Sequence, residues 1–179
     1  MSLIKNIRIS FGRFFYKRKM AQTGRNVKVI NLKSVKSAAI IFEANNENNL
    51  KHVKELIKHI PAGSSISVVG YIDGKKENFA YIGDNVYSFV TEQDFDFFMR
   101  PKPGIVPGFI EKQFDVLFLL HNKYSFPVDL LSGLSKAKFK VGQSGAYEKN
   151  LDFFIETKDN NFSYLISQIS FYMGDMKTV

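Results

Sequence analysis

Short apolar runs alternate along this chain with stretches in which apolar residues recur every three or four positions, a pattern that predicts strands and helices in turn. Ser37 to Phe42, SAAIIF, reads as a buried strand. After a polar loop, Leu50, Val53, Leu56, Ile57 and Ile60 repeat helically, with Asn48 or Asn49 placed to cap and Pro61 and Gly63 placed to stop. Ser65 to Tyr71, SISVVGY, returns to a strand, so residues 37–71 form a βαβ unit of the length a right-handed crossover needs. Asp73-Gly74 signals a turn, and Phe79 to Ile82 and Val86 to Val90 read as short strands flanking Gly83-Asp84-Asn85.

Pro101, Pro103, Gly104, Pro107 and Gly108 break both periods and predict an irregular connection pinned by Phe109 and Ile110. The stretch Phe114 to Gly142, FDVLFLLHNKYSFPVDLLSGLSKAKFKVG, then reads as strand, helix and strand. Asp115 to Leu120 is the apolar strand, and Pro127 falls in the first helical turn, where a missing N–H costs nothing. Ala137 to Val141 alternates apolar and basic residues, as a strand near a sheet edge does, with Lys136, Lys138 and Lys140 on one side. Leu151 to Ile155 adds a strand, and Asn160 to Met176 a closing helix whose Phe162, Leu165, Ile166, Ile169, Tyr172 and Met173 make one stripe. The expected fold is a single α/β, Rossmann-like domain with a mainly parallel sheet of about five strands flanked by helices.

The N-terminal pattern is different. Leu3, Ile4, Ile7, Phe11, Phe14 and Phe15 gather on one side of a helix, while Lys5, Arg8, Arg13, Lys17 and Lys19 fall to its sides and rear. Ser2 is placed to cap it, and Gly12 interrupts it at a cost of about 1 kcal/mol relative to Ala. Charge sharpens the division: residues 1–36 hold ten Lys or Arg and no acid, and residues 37–179 hold 15 basic against 17 acidic residues, so the net +8 is +10 on a basic arm and −2 on the α/β domain.

Three roles are open to the arm. Its apolar face can dock on the chain's own body, its charges can contact nucleic-acid phosphates, or the helix can lie in a membrane interface with phenylalanines among headgroups and cations toward anionic lipid.

Composition removes several chemistries. With no cysteine there is no disulfide, thiolate nucleophile or cysteine-ligated metal, which fits a reducing compartment. The basic N-terminus lacks the apolar run of a secretory leader, and no window approaches a membrane span. The loop Glu43-Ala44-Asn45-Asn46-Glu47 is acidic and glycine-free where a dinucleotide site carries its Gly-rich turn. His52 and His59 are two turns apart, too far for paired zinc ligation from one helix. His121 follows a predicted parallel strand, where open α/β sheets place ligands, and with Asn122, Lys123, Tyr124 and Ser125 it outlines a candidate crevice. No catalytic residue, metal site or cofactor is predicted.

The segment Ser135-Lys136-Ala137-Lys138-Phe139-Lys140-Val141-Gly142, preceded by Asp115-Val116-Leu117-Phe118-Leu119 and Phe126-Pro127-Val128-Asp129, resembles a family of short, functionally uncharacterised α/β proteins of Bacteroidota. That likeness runs from the basic N-terminus to the last helix. It implies a bacterial protein on the cytoplasmic side and no residue role. A fainter similarity, to one half of heptosyltransferase-like enzymes, rests on the apolar strand, short helix and basic strand ending in Val-Gly.

The leading expectation is a non-enzymatic binding module whose arm contacts RNA or the ribosome through Arg8, Arg13, Lys17, Arg18, Lys19, Arg25 and Lys28. The alternative is a peripheral membrane or membrane-complex adaptor using Phe11, Phe14 and Phe15, and the third is a small enzyme with its crevice near His121. A cytoplasmic location, at the inner membrane in the second case, goes with these readings. Oligomeric state is not encoded in any pattern found.

Overall fold

The computed structural model describes residues 3–22, 24–74, 83–158 and 161–177. Helix α1 spans Leu3–Gln22, and the alternating body comes after it: β1 Ser37–Glu43, α2 Glu47–His59, β2 Ser65–Tyr71, β3 Tyr87–Val90, α3 Ile105–Glu111, β4 Val116–Leu120, α4 Phe126–Leu134, β5 Phe139–Gln143, β6 Phe153–Ile155 and α5 Phe162–Asp175. The six strands form one sheet in the order β3-β2-β1-β4-β5-β6, and every pairing is parallel. This is the doubly wound order, in which the chain returns from one edge to the middle between β1 and β4.

Central strands buried on both faces need continuous apolar runs. β1 and β4 meet that need, with Ala38 to Phe42 and Val116 to Leu120 all buried. The N-cap of α2 is Asn46, whose side chain accepts from the Asn48 N–H, two or three residues before the caps expected from sequence. The helix ends with Lys58 in the last turn, on the side where a cation complements the helix dipole.

α2 and α5 cover one face of the sheet, and α1, α3 and α4 the other. All nine residues of α4 are buried. It is covered on both sides, with the sheet beneath it and α1 above, and its two polar residues, Asp129 and Ser132, are buried with the rest. Two glycines set the approach of α1. A Cβ on Gly12 would come within 2.7 Å of Met99 Cβ and of the Phe126 ring, and one on Gly133 would collide with the Tyr16 hydroxyl. Gly12, read from sequence as an interruption, is therefore where a continuous helix seats itself.

Several expectations change. Residues 24–36 belong to the body as much as to an arm: the Arg25 guanidinium reaches Asp152 Oδ2 at 2.6 Å and Ala137 O at 3.0 Å, the Lys28 N–H donates to Lys138 O, and Ile30, Leu32 and Val35 are buried on the α2/α5 side. Asn31 Nδ2 donates to the carbonyls of Gly174 and Met176, clamping the end of α5. Pro107 lies in the first turn of α3 rather than in an irregular connection, because the first turn needs no proline N–H.

β5 is an interior strand, and Lys140 is buried rather than part of a solvated face. Its ammonium donates to the carbonyls of Ser132 (2.6 Å) and Gly133 (3.1 Å) at the end of α4. Burial, reinforced by Arg25, lowers its pKa to about 7. β3, at the expected strand Val86 to Val90, pairs in parallel with β2; the expected strand Phe79 to Ile82 lies outside the described residues.

Candidate functional site

The docking of α1 brings together the two regions singled out from sequence. Arg8 and Arg13 on the helix and Lys123, Tyr124 and Ser125 after β4 line one cavity of about 530 Å³. Its floor comes from the ends of the neighbouring strands, with Tyr71 closing β2, Asp73 just past it and Glu92 just past β3, so the cavity opens at the carboxyl edge of the sheet, where the turns of an α/β fold converge. Its volume falls within the range of small-molecule sites, about 300–1,000 Å³.

Each cation is held differently. Arg8 lies against the 95–101 turn: Nε donates to Phe97 O at 3.2 Å, Nη2 reaches Asp96 O and the Met99 sulfur at 3.5 Å, and the guanidinium stands 5.8 Å from the Phe97 ring centroid. Arg13 is exposed at the rim. The Lys123 ammonium is 4.0 Å from Asp73 Oδ2, with both side chains mostly in solvent, a separation at which an ion pair contributes at most about 1 kcal/mol. α4 starts on the cavity wall: Ser125 is its N-cap but makes no side-chain capping bond, and Phe126 and Pro127 complete the lining.

His121 is not in the cavity wall. It is buried, with its ring between Tyr71 and Tyr147, centroids 6.0 and 5.8 Å away. The Tyr147 hydroxyl has one proton and two lone pairs. It donates to Lys123 O at 2.7 Å and accepts from the Ser125 N–H at 2.8 Å, which leaves one lone pair facing His121 Nδ1 at 3.2 Å. This arrangement is satisfied by the tautomer in which Nδ1 carries the proton and donates. Burial lowers the His121 pKa to about 4, outweighing the Lys123 backbone contact and Asp73, which pull it up. His121 is therefore a neutral strut that holds the Lys123–Ser125 loop through Tyr147, one layer behind the surface the ligand would meet. Asn122 is half-buried beside it and does not line the cavity.

The other sequence-derived residues are distributed along α1 and the segment after it. Arg25 is occupied with Asp152 and two backbone carbonyls. Lys17, Arg18 and Lys28 are exposed, and Lys19 lies 5.9 Å from the Phe15 ring.

The phenylalanines of α1 divide between two directions. α1 docks through Arg8, Gly12 and Tyr16, while Leu3, Ile7, Phe11 and Phe14 face out, 75, 43, 52 and 71% exposed. At 100° per residue those four lie within an arc of about 80°, with Arg18 inside it, roughly 140° round from the docked seam. Phe15 alone of the three predicted partner-face phenylalanines turns partly inward. The outward stripe continues onto the 95–101 turn, where Phe98 meets Phe11 edge-on at 5.5 Å and Phe97 meets Phe98 at 5.4 Å.

The Family of unknown function (DUF6913) matches residues 8–175. The chain belongs to that family. The match takes in α1 from Arg8 onward together with every strand of the sheet, so most of the helix and every cavity-lining residue except Asn6 lie inside the matched region. Neither the curated proteins nor the solved structures contain a match to this chain.

Sequence reasoning reached the cavity from two sides without joining them. Asp73 and Glu92 were missed, although both lie directly beyond strand ends, the one positional signal that could have found them. Asn6, Ser10 and Met99 carry no such signal, since their place in the wall depends on how α1 crosses the sheet. Among the described residues no cluster of His, Asp or Glu could hold a metal ion, and no helix is long and apolar enough to cross a membrane.

Proposed function

We propose that this protein is a binding module that sits on an anionic membrane surface through the outer side of α1. The observation that carries the reading is the row Leu3, Ile7, Phe11 and Phe14, left exposed on a helix whose opposite side is already docked. Continuous exposed apolar surface of this kind marks an interaction site. Charge selects the partner: Arg18 lies within the row, Lys17 borders it, and Arg100 stands 5.4 Å from the Phe98 ring. Phenylalanines at headgroup depth with cations toward anionic lipid is the arrangement of an interfacial helix, each buried aromatic contributing about 1–3 kcal/mol and each cation about 1 kcal/mol. In a bacterium of the Bacteroidota, which the sequence resemblance implies, that surface is the cytoplasmic leaflet of the inner membrane.

The test is co-sedimentation with vesicles of phosphatidylglycerol and phosphatidylcholine against phosphatidylcholine alone, across salt, with an RNA gel-shift run in parallel. Binding to the anionic vesicles that survives high salt in part, and is lost in the Phe11→Ser/Phe14→Ser double variant, is expected. RNA binding that collapses with salt and ignores the double substitution, without vesicle binding, overturns the membrane reading and restores the ribosomal one.

A further inference from the structure

We propose that the cavity between α1 and the carboxyl edge of the sheet is a binding site for a small organic phosphate, independent of the membrane surface on the far side of the helix. Three cations meet there from separate parts of the chain, Arg8 and Arg13 from α1 and Lys123 from the loop after β4. Arg13 is exposed, and among the described residues Lys123 has the distant Asp73 carboxylate as its ion-pair partner, whereas Arg8 is bonded to the 95–101 turn. A dianion between Arg13 and Lys123 gains charge-assisted hydrogen bonds of the kind that distinguish phosphate from a neutral hydroxyl.

The remainder of the wall says that the ligand has a body as well as a charge. Ile9, Met99 and Phe126 line it with apolar surface, and the Asp73 carboxylate beside them is placed to accept hydrogen bonds from hydroxyls. That pairing fits a phosphorylated polyol better than a bare anion. The cavity also lies in the edge region where doubly wound sheets take their ligands, and the absence of a glycine-rich turn after β1 means that the phosphate is gripped by side chains rather than by backbone N–H groups. The phosphate ester can be a free metabolite or the headgroup of a lipid, and the recognition chemistry is the same.

Titration calorimetry of the full chain with glycerol 3-phosphate and ribose 5-phosphate, with glycerol, ribose and inorganic phosphate as controls, tests the site. The esters are expected to bind at least about tenfold more tightly than either control class, and Arg13→Gln and Lys123→Gln each to weaken them by about tenfold. Thermal unfolding of the two variants separates lost affinity from lost fold, since both side chains are surface groups whose removal should leave the melting point within about 1–2 °C. Vesicles carrying phosphatidylinositol phosphate, compared with the soluble esters, distinguish the lipid source. Saturable ester binding unaffected by either variant, or no ester binding up to about 10 mM, overturns the proposal. Vesicle binding in the Arg13→Gln/Lys123→Gln variant reports on the α1 stripe alone, so the two readings fail separately.

Discussion

On the α2/α5 side of the sheet, Leu56, Ile166 and Ile169 close over Ile40, Phe118 and Val141 in a core of hydrocarbon and aromatic side chains. On the α1/α4 side the apolar core is threaded by buried polar residues: His121, Asp129, Ser132, Lys140 and Asn150. There Asn150 alone donates to Asp129 O, Asp129 Oδ1 and Ser132 Oγ, and receives the Tyr16 hydroxyl at 3.1 Å. The first face is held chiefly by hydrophobic area, which is non-directional, with its polar contacts at the helix ends and rim. The second holds its outer helix by hydrogen bonds and close glycine contacts, which specify one seat. A helix seated that way can turn its own apolar stripe outward, and α1 does.

The largest effect expected from this contrast is on the dry face. Ile169→Ala removes a wholly buried side chain from α5 and should cost about 2–5 kcal/mol in global stability. Urea unfolding should show the loss at pH 7 and pH 4.5 alike, with the pH dependence unchanged. A loss confined to acid pH would mean that the two faces are not separable.

The reverse is expected of His121. Its folded pKa is depressed to about 4 by burial, against about 6.5 in an unfolded chain. Between those values the unfolded state takes up a proton that the native imidazole does not, so stability is complete above about pH 6.5 and falls as pH drops toward 4, by up to about 1.4 kcal/mol per pH unit. Tyr71 and Tyr147 face the ring and stay protonated throughout, burial raising both, Tyr71 to about 12. His121→Gln should flatten the pH profile of the urea midpoint across this window while keeping a hydrogen-bonding group toward Tyr147. An unaltered slope would place the acid sensitivity elsewhere.

The same contrast decides how far each face could be read from sequence. The α5 stripe, the β1 and β4 runs and the α4 pattern were legible because their burial is a matter of periodicity, and periodicity is local. α1 was legible as a helix but not in its orientation. Its strongest apolar row, Leu3, Ile7, Phe11 and Phe14, points away from the body, and the seam of Arg8, Gly12 and Tyr16 has no apolar period at all. Gly12 and Gly133 explain the seam only once the helices are set side by side. Lys140 was misplaced for a related reason: in alternation with Phe139 and Val141 it looks solvent-facing, but the far side of β5 is covered by α4. The cavity suffered most, because its wall is assembled from α1 and three strand ends that only the tertiary structure brings together.

Tyr16→Phe gives the smallest and most specific effect. The ring should stay where it is, edge-on to Phe126 with centroids 6.4 Å apart, and only the hydroxyl that donates to Asn150 Oδ1 is lost. Asn150 is buried, and its amide N–H groups are already committed to Asp129 and Ser132, so it cannot flip to repair the loss without breaking those bonds. An orphaned buried acceptor of this kind costs about 1 kcal/mol. The cost should appear first in α1, as faster amide exchange over residues 12–19, with α5 unchanged. If exchange in α1 does not move, aromatic packing rather than the hydrogen bond seats the helix, and the distinction between a hydrophobic face and a hydrogen-bonded one fails at its outermost contact.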